Sequence, residues 1–137
     1  MTKQICVIDG QGGGIGATVI KYIKENIGDS VNLVALGTND TASAAMLKAG
    51  ANLAAAGENS ICRTVNNVDI IIGAVGITWP NAKMGEVTPH IAEAVMSSPA
   101  CKVLLPFTQE SVEVIGVVKE PLPHMVEKAV NLIKEVL

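Results

Sequence analysis

The sequence predicts an α/β domain with a doubly wound, mostly parallel sheet in three layers. Three observations carry that expectation. Strand and helix patterns alternate from end to end, the strand runs are continuously apolar, and the first run leads through a cluster of glycines into a helix. Continuous apolar strands imply a sheet covered on both faces, which is the parallel arrangement. Right-handed crossovers then divide the helices between the two faces.

The elements follow in order. Gln4–Ile8 is a short apolar strand ended by Asp9-Gly10. Ile15–Ile27 is helical: Ile15, Val19, Ile20, Ile23 and Ile27 share one side, Lys21, Lys24 and Glu25 take the other, and Gly28 is an end cap. Val31–Leu36 is the second strand. Asn39, Asp40 and Thr41 offer capping oxygens for a helix that runs to Lys48 and stops at Gly50. Ala51–Ala56 fits either a short strand or a helical turn. Asn59–Asn67 reads as a helix and Val68–Gly73 as a buried strand. Ala74–Val87 is a long segment punctuated by Gly76, Pro80 and Gly85, and loops of that length in compact domains usually bind something. Thr88-Pro89 starts a helix, Lys102–Leu105 and Val112–Val118 read as strands, and Pro121-Leu122-Pro123 opens the last helix. Its apolar stripe is Leu122, Val126, Ala129, Val130, Ile133 and Leu137. Gln4–Ile8 is expected at the centre of the sheet, between Val31–Leu36 and Val68–Gly73, because the first strand-to-helix turn of such folds lies where the strand order reverses.

Composition narrows the class. A chain of 137 residues is close to the commonest domain size, so residues 1–137 are expected to form one domain. Apolar residues make up 49% and charged residues 17%, which excludes disorder. The net charge is -3 and Arg63 is the only arginine, so no basic patch for nucleic acid is expected. No apolar run approaches the roughly 20 residues of a membrane span, and the N-terminus passes directly into a strand pattern; a cytoplasmic location is expected. Cys6, Cys62 and Cys101 are widely spaced and fit reduced thiols, with Cys6 and Cys101 as small core residues.

The turn Asp9-Gly10-Gln11-Gly12-Gly13-Gly14-Ile15-Gly16 carries the functional expectation. It stands between strand and helix at the carboxyl end of the sheet, where open parallel sheets bind ligands. Absent Cβ atoms let the backbone turn tightly and let a phosphate approach its amides. The helix that follows points free N–H groups and the favourable end of its dipole at that phosphate. The domain is therefore Rossmann-like in expectation. Gly10, Gly14 and Gly16 fit the glycine spacing of short-chain dehydrogenases, and Gly12, Gly14 and Ala17 fit the ordinary dinucleotide fingerprint. The expected site comprises Asp9, Gly10, Gln11, Gly12, Gly13, Gly14 and Ile15, with Thr38 and Asn39 beside a ribose or equivalent group and Ala74, Val75 and Gly76 along the other side. The amides of Gly12, Gly13, Gly14 and Ile15 are expected to bind the phosphate. NAD or NADP is the cofactor expected, a flavin less so because no hydroxyl-rich phosphate loop is present. Two features stand against a dinucleotide. Leu36, Gly37, Thr38 and Asn39 occupy the place where NAD sites carry an acid, and Asp9 must point away from a phosphate or bond the loop's own amides.

Several stretches together resemble a family of small bacterial Rossmann-like proteins of unassigned function. They are Ile8–Gly16, Ala35–Asn39, Ala45–Asn52, Gly57–Asn59, Gly85–Pro89 and Glu120–His124. The resemblance covers essentially the whole chain. It implies a stand-alone domain and no particular activity. Resemblance to short-chain dehydrogenases is confined to Gly10–Gly16, and their Tyr-x-x-x-Lys pair is missing: Tyr22 is followed four residues later by Asn26.

Trp79 is either a stacking ring near the cleft or a packing residue. His90 and His124 lack metal-ligand spacing and read as helix-end residues. No catalytic residue and no metal ligand emerges. The expected function is a nucleotide-binding or sensor module taking a small phosphate-bearing ligand. The alternatives are an oligomeric NAD(P)-dependent oxidoreductase with a shared active site, or a structural protein that keeps the turn without a ligand. A homodimer is expected from the apolar composition and the long segment around Trp79.

Overall fold

The computed structural model describes residues 2–137. Five strands, β1 (Lys3–Asp9), β2 (Val31–Gly37), β3 (Leu53–Ala56), β4 (Ile70–Ala74) and β5 (Cys101–Leu105), form one sheet in the order β3-β2-β1-β4-β5. Every pairing is parallel. The five helices are α1 (Gly14–Asn26), α2 (Asp40–Ala49), α3 (Glu58–Thr64), α4 (Pro89–Ser97) and α5 (Leu122–Val136).

The central strand shows why the chain must be layered. Its side chains alternate between two apolar cores: Ile5 and Val7 pack with α1, α2 and α5, while Cys6 and Ile8 pack with α3 and α4. All four are buried to 1% exposure or less, so both faces of β1 need helical cover. The result is the three-layer, doubly wound, Rossmann-like architecture expected, with β1 between β2 and β4. The switch in strand order falls between β1 and β4, and it places the loops after those two strands on opposite sides of one crevice. Among the described residues no helix is long and apolar enough to cross a membrane.

Helix ends follow their local chemistry. Asn39 caps α2 by accepting from the Ala42 amide, and Thr88 caps α4 by accepting from the Ile91 amide. Gly50, at φ 125°, closes α2.

One open reading is decided, and two boundaries and one element differ from expectation. Ala51–Ala56, open between strand and helix, yields the edge strand β3. The helix expected to Asn67 ends at Thr64 and tightens into a 3-10 turn over Val65–Asn67. The strand expected from Val68 begins at Ile70, because Asp69 spends its carboxylate on the Gln4 amide at 2.8 Å before the ladder starts. Val112–Val118 is not a strand. It runs exposed between β5 and α5, and Gly116 at φ 87° places a turn in its middle. β-branched residues form strands when a neighbouring strand and a covering layer receive them, and this segment has neither.

Candidate functional site

The glycine turn lies at the carboxyl end of β1, as its sequence position dictates. Its five glycines divide into two groups by what surrounds them. A Cβ on Gly10 would stand 2.6 Å from Thr38 Oγ1 and 2.9 Å from Glu86 Oε1. Gly13 holds φ 75° and lies against the Ala42 backbone, where a Cβ would approach to 2.8 Å. At Gly16 the Met46 thioether would be 2.5 Å away. Gly13 is required by its backbone angle and by the Ala42 backbone, whereas the atoms crowding Gly10 and Gly16 belong to side chains. Gly12 and Gly14 are exposed, neither adopts positive φ, and nothing lies within 4 Å of an added Cβ at either.

Two carboxylates occupy part of the turn's hydrogen-bonding capacity. Asp9, 4% exposed, accepts from the Gly10 amide at 2.8 Å through Oδ1 and from the Gly16 amide at 2.7 Å through Oδ2. It bonds the loop's own amides, one of the two arrangements its position allows. Glu86 reaches in from the segment after β4, and its Oε1 accepts from Thr38 Oγ1 at 2.5 Å, Asn39 Nδ2 at 2.9 Å and the Gln11 amide at 3.0 Å. Burial alone would raise the Glu86 carboxyl. The donors from Thr38, Gln11 and Asn39, with the ammonium of Lys83, outweigh that and hold it below its ordinary value. Lys83 also lies 3.7 Å from Asp9 Oδ1, so one ammonium serves both carboxylates. Asn39 ties the group together by donating to the Gln11 carbonyl at 3.1 Å as well.

The remaining amides of the turn divide clearly. Gly13, expected with its neighbours to face the phosphate, instead donates to the Gly10 carbonyl at 3.0 Å, and Ala17 donates to the Gly13 carbonyl at 2.9 Å. Those of Gly12, Gly14 and Ile15 find no acceptor among the described residues. They belong to the first turn of α1 or lie just before it, where a helix leaves donors unsatisfied and its dipole favours negative charge.

Beside them opens a crevice of about 260 Å³ lined by Gln11, Ile15, Gly76, Ala82, Lys83, Phe107, Thr108, Gln109 and Glu110. It lies on the β4–β5 side of the turn, since Gly76 follows β4 and Phe107–Glu110 follow β5. Gln11 Nε2 spans to Gln109 Oε1 at 3.4 Å, and Lys83 N donates to Glu110 Oε1 at 2.9 Å. The walls are apolar at Ile15, Ala82 and Phe107 and polar at the rim, the usual make-up of a small-molecule pocket.

Of the residues singled out in the sequence, Gln11, Ile15 and Gly76 meet at this crevice. Thr38 and Asn39 lie on the other side of the turn and hold Glu86. Ala74 is the buried last residue of β4, and Val75 begins the 3-10 turn that follows. Trp79 packs against the core beneath α3 and α4 and does not line the crevice. Glu86, Lys83 and Phe107–Glu110 had no signal in the sequence strong enough to place them here. Glu86 is 48 positions from Thr38, and only the fold brings them together.

A second polar cluster joins α3 to α4. Glu58 accepts from the Thr88 hydroxyl and stands 3.5 Å from His90 Nδ1, while the Cys62 thiol contacts the His90 carbonyl. Burial, with the carboxylates of Glu58 and Glu93, pushes the Cys62 thiol up, the opposite of nucleophile activation. Among the described residues no group of three or more His, Cys, Asp or Glu is arranged to hold a metal ion.

Fold and site together define a doubly wound α/β domain with a glycine turn and a crevice at its strand-order switch. Residues 4–137 match one family model throughout, and the chain belongs to that family, Domain of unknown function (DUF3842). No curated protein matches it.

Proposed function

We propose that this chain is a binding module for a small phosphate-bearing molecule, the anionic group held by the amides of Gly12, Gly14 and Ile15 and the remainder lying in the crevice against Ile15 and Phe107. The observation that carries this reading is the pair Gly12 and Gly14. Glycine in an ordered turn costs conformational entropy, and neither backbone angle nor packing within the chain asks for it at these positions. A ligand approaching the amides does ask for it. The unsatisfied donors and the helix dipole supply the attraction. A nucleotide is the ligand the fold suggests by analogy.

A thermal-shift panel of inorganic phosphate, ATP, FMN, FAD, NAD, NADP and coenzyme A tests this. A ligand at 100 times its dissociation constant adds about 2.7 kcal/mol. Gly14→Val, checked for folding by circular dichroism, should lose that gain, because its side chain would stand over the amides. A folded variant that binds as tightly as the parent rules the site out. The competing reading is a turn kept for structure alone, and the Asp9 and Glu86 carboxylates, which already satisfy the amides of Gly10, Gln11 and Gly16, favour it. A parent chain indifferent to the whole panel would establish that reading instead.

A further inference from the structure

We infer that the ligand is a phosphate monoester of a compact body, such as a sugar or nucleoside monophosphate, and that dinucleotides are excluded. This rests on the reading of the glycine turn as an anion site.

A pyrophosphate bridging two nucleosides needs a way out on both flanks, because each of its two phosphates leads through its ester oxygen to a bulky group. A terminal phosphate needs only one. In a doubly wound sheet a dinucleotide lies across the switch point, with one half over the strand next to β1 on the far side. In this chain that half is filled. Glu86 Oε1, bonded to Thr38, Asn39 and the Gln11 amide, occupies the end of β2. Gly10 lacks the Cβ that would stand 2.9 Å from the same oxygen, so the turn itself is shaped around the carboxylate.

The filling does not behave as a loose flap. The segment bearing Glu86 closes on itself through the Asn81 amide to the Val87 carbonyl at 2.6 Å and the Val87 amide to the Ala82 carbonyl at 3.1 Å. Ala82 and Val87 are buried at 3% and 0% exposure, so moving the backbone that carries Glu86 would tear apolar contacts from the core beside α4, and turning its side chain away would break the three hydrogen bonds to Oε1. Gly12 and Gly14 themselves face solvent, and the walled space beside the free amides is then the crevice on the β4–β5 side. Its volume of about 260 Å³ is below the roughly 300 Å³ at which pockets for drug-sized ligands begin. A compact body fits within it, and the second nucleoside of a dinucleotide finds no walled space of its own beside the turn.

Titration calorimetry on the intact chain separates the classes with matched probes: inorganic phosphate, ribose 5-phosphate, AMP and FMN against NAD and FAD. AMP is half of both dinucleotides and FMN is the other half of FAD. The expected result is binding of at least one monoester with each dinucleotide containing it weaker by about tenfold or more, or silent. NAD or FAD binding as tightly as its own monophosphate half, or tighter, overturns the exclusion and leaves the anion site standing. Silence from every probe, inorganic phosphate included, removes the anion site and this inference with it.

Discussion

Asp9 Oδ2 accepts a hydrogen bond from the amide of Gly16, seven residues further on, at 2.7 Å. The last residue of β1 thus holds the first turn of α1 from inside and leaves the outer amides of the turn to solvent. Asp9→Ala should destabilise the chain by about 1–3 kcal/mol, since the Gly16 amide loses its acceptor in a buried place and Lys83 loses a partner. Urea denaturation followed by circular dichroism measures this. A loss below about 0.5 kcal/mol would show that the turn keeps its shape without the carboxylate.

Gly13 and Gly14 are adjacent, and their alanine variants should move stability in opposite directions. At Gly14 nothing opposes a Cβ, and the residue begins a helix, so Gly14→Ala should stabilise by about 0.4–1 kcal/mol through the unfolded chain. At Gly13, φ 75° and the Ala42 backbone 2.8 Å from a Cβ make Gly13→Ala destabilising by more than about 1 kcal/mol. Melting temperatures of the two variants against the parent decide it. If Gly14→Ala weakens phosphate binding while raising the melting temperature, the glycine serves the ligand at the expense of the fold.

Stability should depend on the charge of Glu86 in acid. Its carboxyl is held below its ordinary value in the folded chain, so it contributes stability above the unfolded value of about pH 4.3 and loses it as pH falls through the folded value. Glu86→Gln retains an oxygen acceptor for Thr38 and Asn39 but not the charge that Lys83 faces. The melting temperature of the parent should exceed that of Glu86→Gln near neutral pH, and the gap should shrink progressively as the pH falls below the unfolded value and through the lower folded one. A gap independent of pH would mean that the contribution of Glu86 is shape and not charge.

Four of the five strands were legible in the sequence as continuous apolar runs, while Ala51–Ala56, mostly alanine, fitted a strand and a helical turn alike. Ile5 and Val7 against Cys6 and Ile8 already imply two covered faces. The turn was legible because Asp9 to Gly16 sits between strand and helix. What could not be read was pairing across distance. Val112–Val118 has the residues of a strand, but no partner strand lies beside it. Glu86 reads as one acid in a long loop until the loops after β1, β2 and β4 converge on it. Thr38 and Asn39 were located next to the turn by their strand, while what they bind depends on a segment almost fifty positions away.

Cys6 lies in the central strand at 0% exposure, and burial pushes its thiol far up, whereas Cys101, expected in the core, is exposed at the start of β5. The chain therefore carries its own clock for opening. A thiol reagent should modify Cys101 at once and reach Cys6 only when the middle of the sheet comes apart, at a rate set by the free energy of global unfolding. Mass spectrometry of the timed reaction in a Cys62→Ser background would read that rate without denaturant. A tight ligand that adds stability should slow the Cys6 reaction by the same factor as its stabilising free energy, and leave the Cys101 reaction untouched.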